Sequence, residues 1–101
     1  MILGLAAVVV LAGYSFGASM AMRTLEPSVG GWFLVAPPAA TIGDAAIAED
    51  ARPKLILVPE NDQFSSADGV ADATARWRST ELDVIPGDHY LFDSLPLETQ
   101  F

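Results

Sequence analysis

Ala7-Val8-Val9-Val10-Leu11, then Ala12, then Gly13-Tyr14-Ser15-Phe16-Gly17, is a run of β-branched and apolar residues that breaks at a glycine-flanked serine. Adjacent valines stiffen χ1 and favour extended backbone, and a strand apolar on both faces is what the interior of a parallel sheet requires. The glycines permit a sharp turn. Ala18 to Leu25, rich in Ala and Met, then suits a helix, closed by Pro27 and the Gly30-Gly31 pair. The stretch therefore predicts strand Ala7 to Leu11, turn, helix.

The same beginning has a second reading. Met1 to Ala12 is an apolar run of the kind found in signal peptides, with a cleavage site after Ser19-Met20-Ala21. Against it, no basic residue precedes Arg23, whereas a signal peptide has a positively charged start. The run is also short of the roughly 18 residues that cross a membrane. On this segment alone both readings stay open, and the rest of the chain decides.

Downstream, the apolar runs repeat. Trp32 to Val35 is short, apolar and stopped by Pro37-Pro38, and Lys54 to Val58 is followed by Pro59 and the turn Glu60-Asn61-Asp62. Leu82 to Ile85 is a fourth run, and Pro86-Gly87-Asp88 turns the chain into His89. Between them, Ser66 to Arg78 is predicted helical, with a Ser-x-x-Gly start and Val70, Ala71, Ala73 and Trp77 for its apolar face. Ala39 to Arg52 is predicted as loop with one helical turn, and Tyr90 to Leu95 as the start of a last helix that Pro96 interrupts. Strands alternating with helices predict an α/β fold, about four mostly parallel strands with helices packed on the faces.

Composition bounds the function. At 101 residues the chain is one domain, and 51% hydrophobic with 18% charged residues is the balance of a chain that packs a core. Thirteen acids against five bases give a net charge of −8, and Arg23, Arg52, Lys54, Arg76 and Arg78 are scattered among them. That distribution argues against nucleic acid or an anionic membrane as partner. The absence of cysteine excludes disulfides and thiolate metal sites and fits a reducing compartment, so the expected location is cytoplasmic, with no metal or cofactor.

Gly13 to Gly17 matches Gly-x-Ser-x-Gly, a turn that lifts a serine above the end of a sheet. A chance match is expected in about 3% of chains this long, so the flanking strand and helix carry the reading. A serine hydroxyl attacks only when a base takes its proton, and an imidazole does so when an acid orients it. His89 is the single histidine, and Asp62 stands after the third predicted strand as Ser15 does after the first. The order Ser15, Asp62, His89 is that of α/β-hydrolase triads. Each residue also suits a plain structural role: Ser15 as a helix cap, Asp62 as a turn former, His89 as a satisfied histidine beside aromatics. Asp88, the competing acid, is expected in solvent, and Trp32 and Trp77 in the packing.

Four segments, Leu11 to Ala18, Val35-Ala36-Pro37-Pro38, Leu55 to Phe64 and Ile85 to Phe92, resemble the α/β-hydrolase superfamily, and most closely its small capless bacterial members related to dienelactone hydrolases. The resemblance implies that Ser15 is the nucleophile, Asp62 the orienting acid, His89 the general base and the Phe16 backbone N–H an oxyanion donor. It implies an esterase-like acyl hydrolase acting on a small-molecule ester or acyl substrate. Pro59-Glu60 departs from the His-Gly or Gln-Gly of such families. By the resemblance, residues 1–101 are the C-terminal part of a single hydrolase domain starting at the elbow strand, with weak or no activity alone. The edge at Ala7 to Leu11 is then expected to be exposed and to support self-association. The rival functions are a non-catalytic remnant or interaction module and a small secreted protein.

Overall fold

A computed structural model of the chain describes residues 9–43 and 45–88. Four strands, β1 (Val9–Tyr14), β2 (Val29–Val35), β3 (Lys54–Pro59) and β4 (Thr80–Ile85), form one sheet in the order β1-β2-β3-β4. Every neighbouring pair is parallel. Helix α1 (Phe16–Ala21) joins β1 to β2, a 3-10 turn (Ala39–Thr41) lies between β2 and β3, and α2 (Ala67–Thr74) joins β3 to β4. The α/β class and the alternation predicted from sequence are the observed ones.

Sequential order and parallel pairing have a geometric consequence. Right-handed crossovers that always step the same way place their helices on the same side of the sheet. The core shows it: Trp32 and Leu34 of β2 and Ile56 and Val58 of β3 are buried together with Ala18 and Met22 of the α1 region, Ile42, Ile47 and Val70 of α2. The alternate residues Phe33, Val35, Leu55 and Leu57 are only half-buried. Among the described residues, therefore, the helical segments cover one face.

Boundaries moved for physical reasons. β1 continues through Gly13 and Tyr14, because Ala12, Gly13 and Tyr14 pair with Phe33, Leu34 and Val35 of β2. The turn is thus confined to Ser15. Helix α1 starts at Phe16 and ends at Ala21, earlier than the predicted Ala18 to Leu25, and the Thr24 carbonyl accepts from Trp32 Nε1 at 3.2 Å. β1 has a single described neighbour, β2, and among the described residues Val9 (46% exposed) and Val10 (54%) lie at the edge of the sheet. The strand expected over Ala7 to Leu11 is observed at Val9–Tyr14, and Ala7 and Val8 lie outside the described residues. Val9 to Ala12, the second part of the run with a signal-peptide reading, is in this strand, while the predicted tail helix Tyr90 to Leu95 lies outside the described residues.

α2 begins as its Ser-x-x-Gly signal predicts. Ser66 is the N-cap, and its Oγ accepts from the Gly69 N–H at 3.0 Å. The helix stops at Thr74, four residues before the predicted end at Arg78, and the Trp77 N–H donates to the Thr74 carbonyl in a following turn.

At the N-terminal end of the strands a polar clasp gathers loop and strand-end carbonyls. Arg52 pairs with Asp50 (Nε to Oδ1, 2.8 Å), donates to the carbonyls of Glu26 (2.8 Å) and Val29 (2.6 Å), and lies 4.7 Å over the Trp32 ring. Hydrogen bonds from Arg52 hold the Asp50 carboxyl well below the usual carboxylate range. The buried Lys54 ammonium donates to the carbonyls of Asp50, Arg52 and Arg78, which satisfies its three donors, and burial pushes its pKa down. The clasp locks β2 and β3 at the end opposite the candidate site.

Candidate active site

Ser15 stands at the junction of β1 and α1 with φ 55 and ψ −117. A non-glycine residue at positive φ stores strain of about 1–3 kcal/mol, tolerated where the surroundings over-determine it. Here they do. The Ser15 N–H donates to the Val35 carbonyl (2.8 Å), and its own carbonyl accepts from Ala18 (3.0 Å) and Ser19 (3.3 Å). Its side chain makes no capping bond to α1, so the helix-cap alternative is not the role it plays.

The two flanking glycines differ. A Cβ on Gly13 would lie 2.4 Å from the Gly17 carbonyl oxygen, so only glycine lets α1 close on β1. A Cβ on Gly17 would meet nothing within 4 Å. The first glycine of the motif is required by packing, and the second is not. Phe16 is the first residue of α1, where a backbone N–H has no carbonyl partner within the helix.

Asp62 follows β3 by three residues and is buried, 6% exposed. Its Oδ1 accepts from the backbone N–H groups of Phe64 (2.7 Å) and Ser65 (2.8 Å), an arrangement that fixes the orientation of the carboxylate. As an Asx turn this is the plain turn-former role, yet it also orients the carboxylate. The segment is stitched to the end of β4: the Glu60 N–H donates to the Ile85 carbonyl (2.8 Å) and the Asn61 N–H to the Gly87 carbonyl (3.0 Å). Asp88 is half-buried where solvent exposure was expected.

Ser15, Asp62 and Gly87 thus all stand at the C-terminal edge of the sheet, the edge at which open parallel sheets bind ligands. β2 separates Ser15 from Asp62, about 10 Å between strand axes, so the pair needs an intermediate group to communicate. His89, predicted as that group, lies outside the described residues, one position beyond Asp88.

Sequence reasoning missed what spans this gap in the backbone. The segment Ala36-Pro37-Pro38 after β2 takes a left-handed turn at Ala36 (φ 51) and presents its carbonyls to both neighbours. The Pro37 carbonyl accepts from the Ser65 hydroxyl. The Pro38 carbonyl accepts from Thr41 Oγ1 (2.7 Å), which is paired with Ser19 Oγ of α1 (2.7 Å). Ser65 has no periodic or motif signal, being the residue before a recognisable N-cap, and only the fold reveals it. Among the described residues no cluster of His, Cys, Asp or Glu could hold a metal ion, and no helix is long and apolar enough to cross a membrane.

No family model matches the chain, and no curated protein matches it. Among solved structures it is similar to an alpha-beta serine hydrolase homologue from Coxiella burnetii, with a TM-score of 0.74 and 28% identity over 92% of this chain. The chain spans 46% of the length of that protein. Together with the parallel sheet and the strained serine turn, this likeness supports a place for the chain in the α/β-hydrolase superfamily, as a hydrolase-like α/β fold.

Proposed function

We propose that the chain carries the catalytic residues of an esterase-like serine hydrolase. Ser15 is the nucleophile, His89 the base that takes its hydroxyl proton, and Asp62 the acid that holds the imidazole. In the acylation step Ser15 Oγ bonds to the substrate carbonyl carbon, the imidazole returns the proton to the leaving alkoxide, and water then releases the acid by the same route. The Phe16 N–H donates to the oxyanion.

The observation that carries this reading is the pairing on one sheet edge of a serine at φ 55 with a buried carboxylate held by two backbone N–H groups. A relation to dienelactone hydrolases and a small ester or acyl substrate belong to the same proposal. One oxyanion donor is worth about 100- to 1,000-fold in turnover, and the second donor of this chemistry has no assigned residue here, so covalent capture is a better readout than turnover. A fluorophosphonate probe should label the folded chain, and Ser15→Ala and His89→Ala should each abolish labelling. Unchanged labelling of Ser15→Ala would remove the proposal.

A second reading, self-association along β1, is favoured by the exposure of Val9 and Val10 at an unpaired described edge.

A further inference from the structure

Resting on the hydrolase reading, we propose that Ser65 is a positioning residue for Asp62, acting through the Pro37 carbonyl. Ser65 is fully buried, and it serves the acid from two sides. Its backbone N–H donates to Asp62 Oδ1 at 2.8 Å, while its hydroxyl donates to the Pro37 carbonyl, with the Ala36 carbonyl 3.5 Å away. Ser65 therefore ties the carboxylate to the segment that follows β2.

The end of β2 is the right anchor. Val35, one residue before the left-handed Ala36, accepts the Ser15 N–H at 2.8 Å, and the Ala36 N–H donates to the Leu57 carbonyl of β3 at 2.8 Å. Pro37 has no N–H, so its carbonyl is the polar group its peptide offers, and the Ser65 hydroxyl takes it up. The Ala39 N–H adds a parallel tie to the Phe64 carbonyl (3.2 Å). Through Val35 and Pro37 the strand between the nucleophile and the acid references both to one frame. Without the hydroxyl, the loop of Asp62 keeps its local Asx turn and the Ala39 to Phe64 tie but loses the side-chain bond that fixes Ser65, and with it Oδ1, against the Pro37 carbonyl.

A misplacement of about 1 Å in a reacting constellation costs on the order of 100-fold in rate, which sets the expected size. The experiment measures fluorophosphonate labelling kinetics over a probe concentration series in the full chain, for Ser65→Ala and the hydroxyl-retaining Ser65→Thr. Ser65→Ala should lower the maximal labelling rate about 10- to 100-fold with the half-saturating concentration unchanged within two-fold, and Ser65→Thr should restore most of the rate. A purely structural role would reduce the amount of labelled protein and leave the rate of the folded fraction alone. The side-chain carboxyl resonance of Asp62, three positions from the substitution, provides a second readout that needs no activity, because Oδ1 accepts from the N–H groups of Phe64 and Ser65. Ser65→Ala should move it and Ser65→Thr should return it toward the wild-type position. Failure of the wild type to label would count against the hydrolase reading, with the carboxyl shift still deciding the anchoring. Wild-type labelling kinetics in Ser65→Ala, or an unmoved Asp62 carboxyl resonance, would overturn the proposal.

Discussion

Gly13 and Gly17 occupy equivalent places in the Gly-x-Ser-x-Gly pattern and have opposite physical demands. At Gly13 any Cβ collides with the Gly17 carbonyl at 2.4 Å and with Ala18 N at 2.7 Å, both backbone atoms that cannot swing aside. Gly13→Ala is therefore expected to destabilise by roughly 1–3 kcal/mol in urea denaturation, the usual cost of overpacking. Gly17→Ala, in open space, should be neutral or stabilising by up to about 1 kcal/mol because alanine suits a helix better. The sequence shows the motif but hides this asymmetry, since it arises from the closure of α1 on β1. Ser15 and Asp62 were legible for the same reason that strands were: each follows an apolar run that ends at a turn residue. Ser65 was not, because its role depends on a carbonyl 28 positions away in sequence.

Among the elements, the four strands were readable from apolar runs, and their ends were less so. β2 starts at Val29, three residues before the predicted Trp32, because Gly31 lets the Pro53 carbonyl approach: a Cβ there would sit 2.7 Å from that oxygen. The clasp at this end was invisible to periodicity, since Asp50, Arg52 and Lys54 look like ordinary loop charges. Its stability contribution depends on pH with a definite sign. Asp50 has a folded pKa below its unfolded value near 3.9, so its contribution is complete above about pH 4 and is lost as pH falls below that. Asp50→Asn should accordingly be less stable than the wild type at pH 7, and the gap in urea midpoint should close as the pH drops below about 4. Labelling of Ser15 per folded molecule should not change, because the clasp is at the far end of the strands.

At the scale of the molecule, the described helical segments cover one face of the parallel sheet, whereas parallel sheets are normally covered on both. Val9 and Val10 offer an apolar, exposed edge beside the half-buried Phe33. We propose that copies of the chain associate along β1, which predicts a concentration-dependent sedimentation coefficient that Val10→Lys shifts toward the monomer. A wild-type chain that stays monomeric at all concentrations would exclude it. The α/β class was legible from the alternation of elements, whereas the confinement of the described helices to one face follows from strand order, which no local pattern encodes.

Mapping the fluorophosphonate adduct by mass spectrometry on the folded chain tests the role of Ser15 at the atom that would react. One adduct is expected, on the peptide that contains Ser15, absent from Ser15→Ala and strongly reduced in Asp62→Asn. No adduct on a chain shown to be folded, or an adduct on another serine that persists in Ser15→Ala, would contradict it.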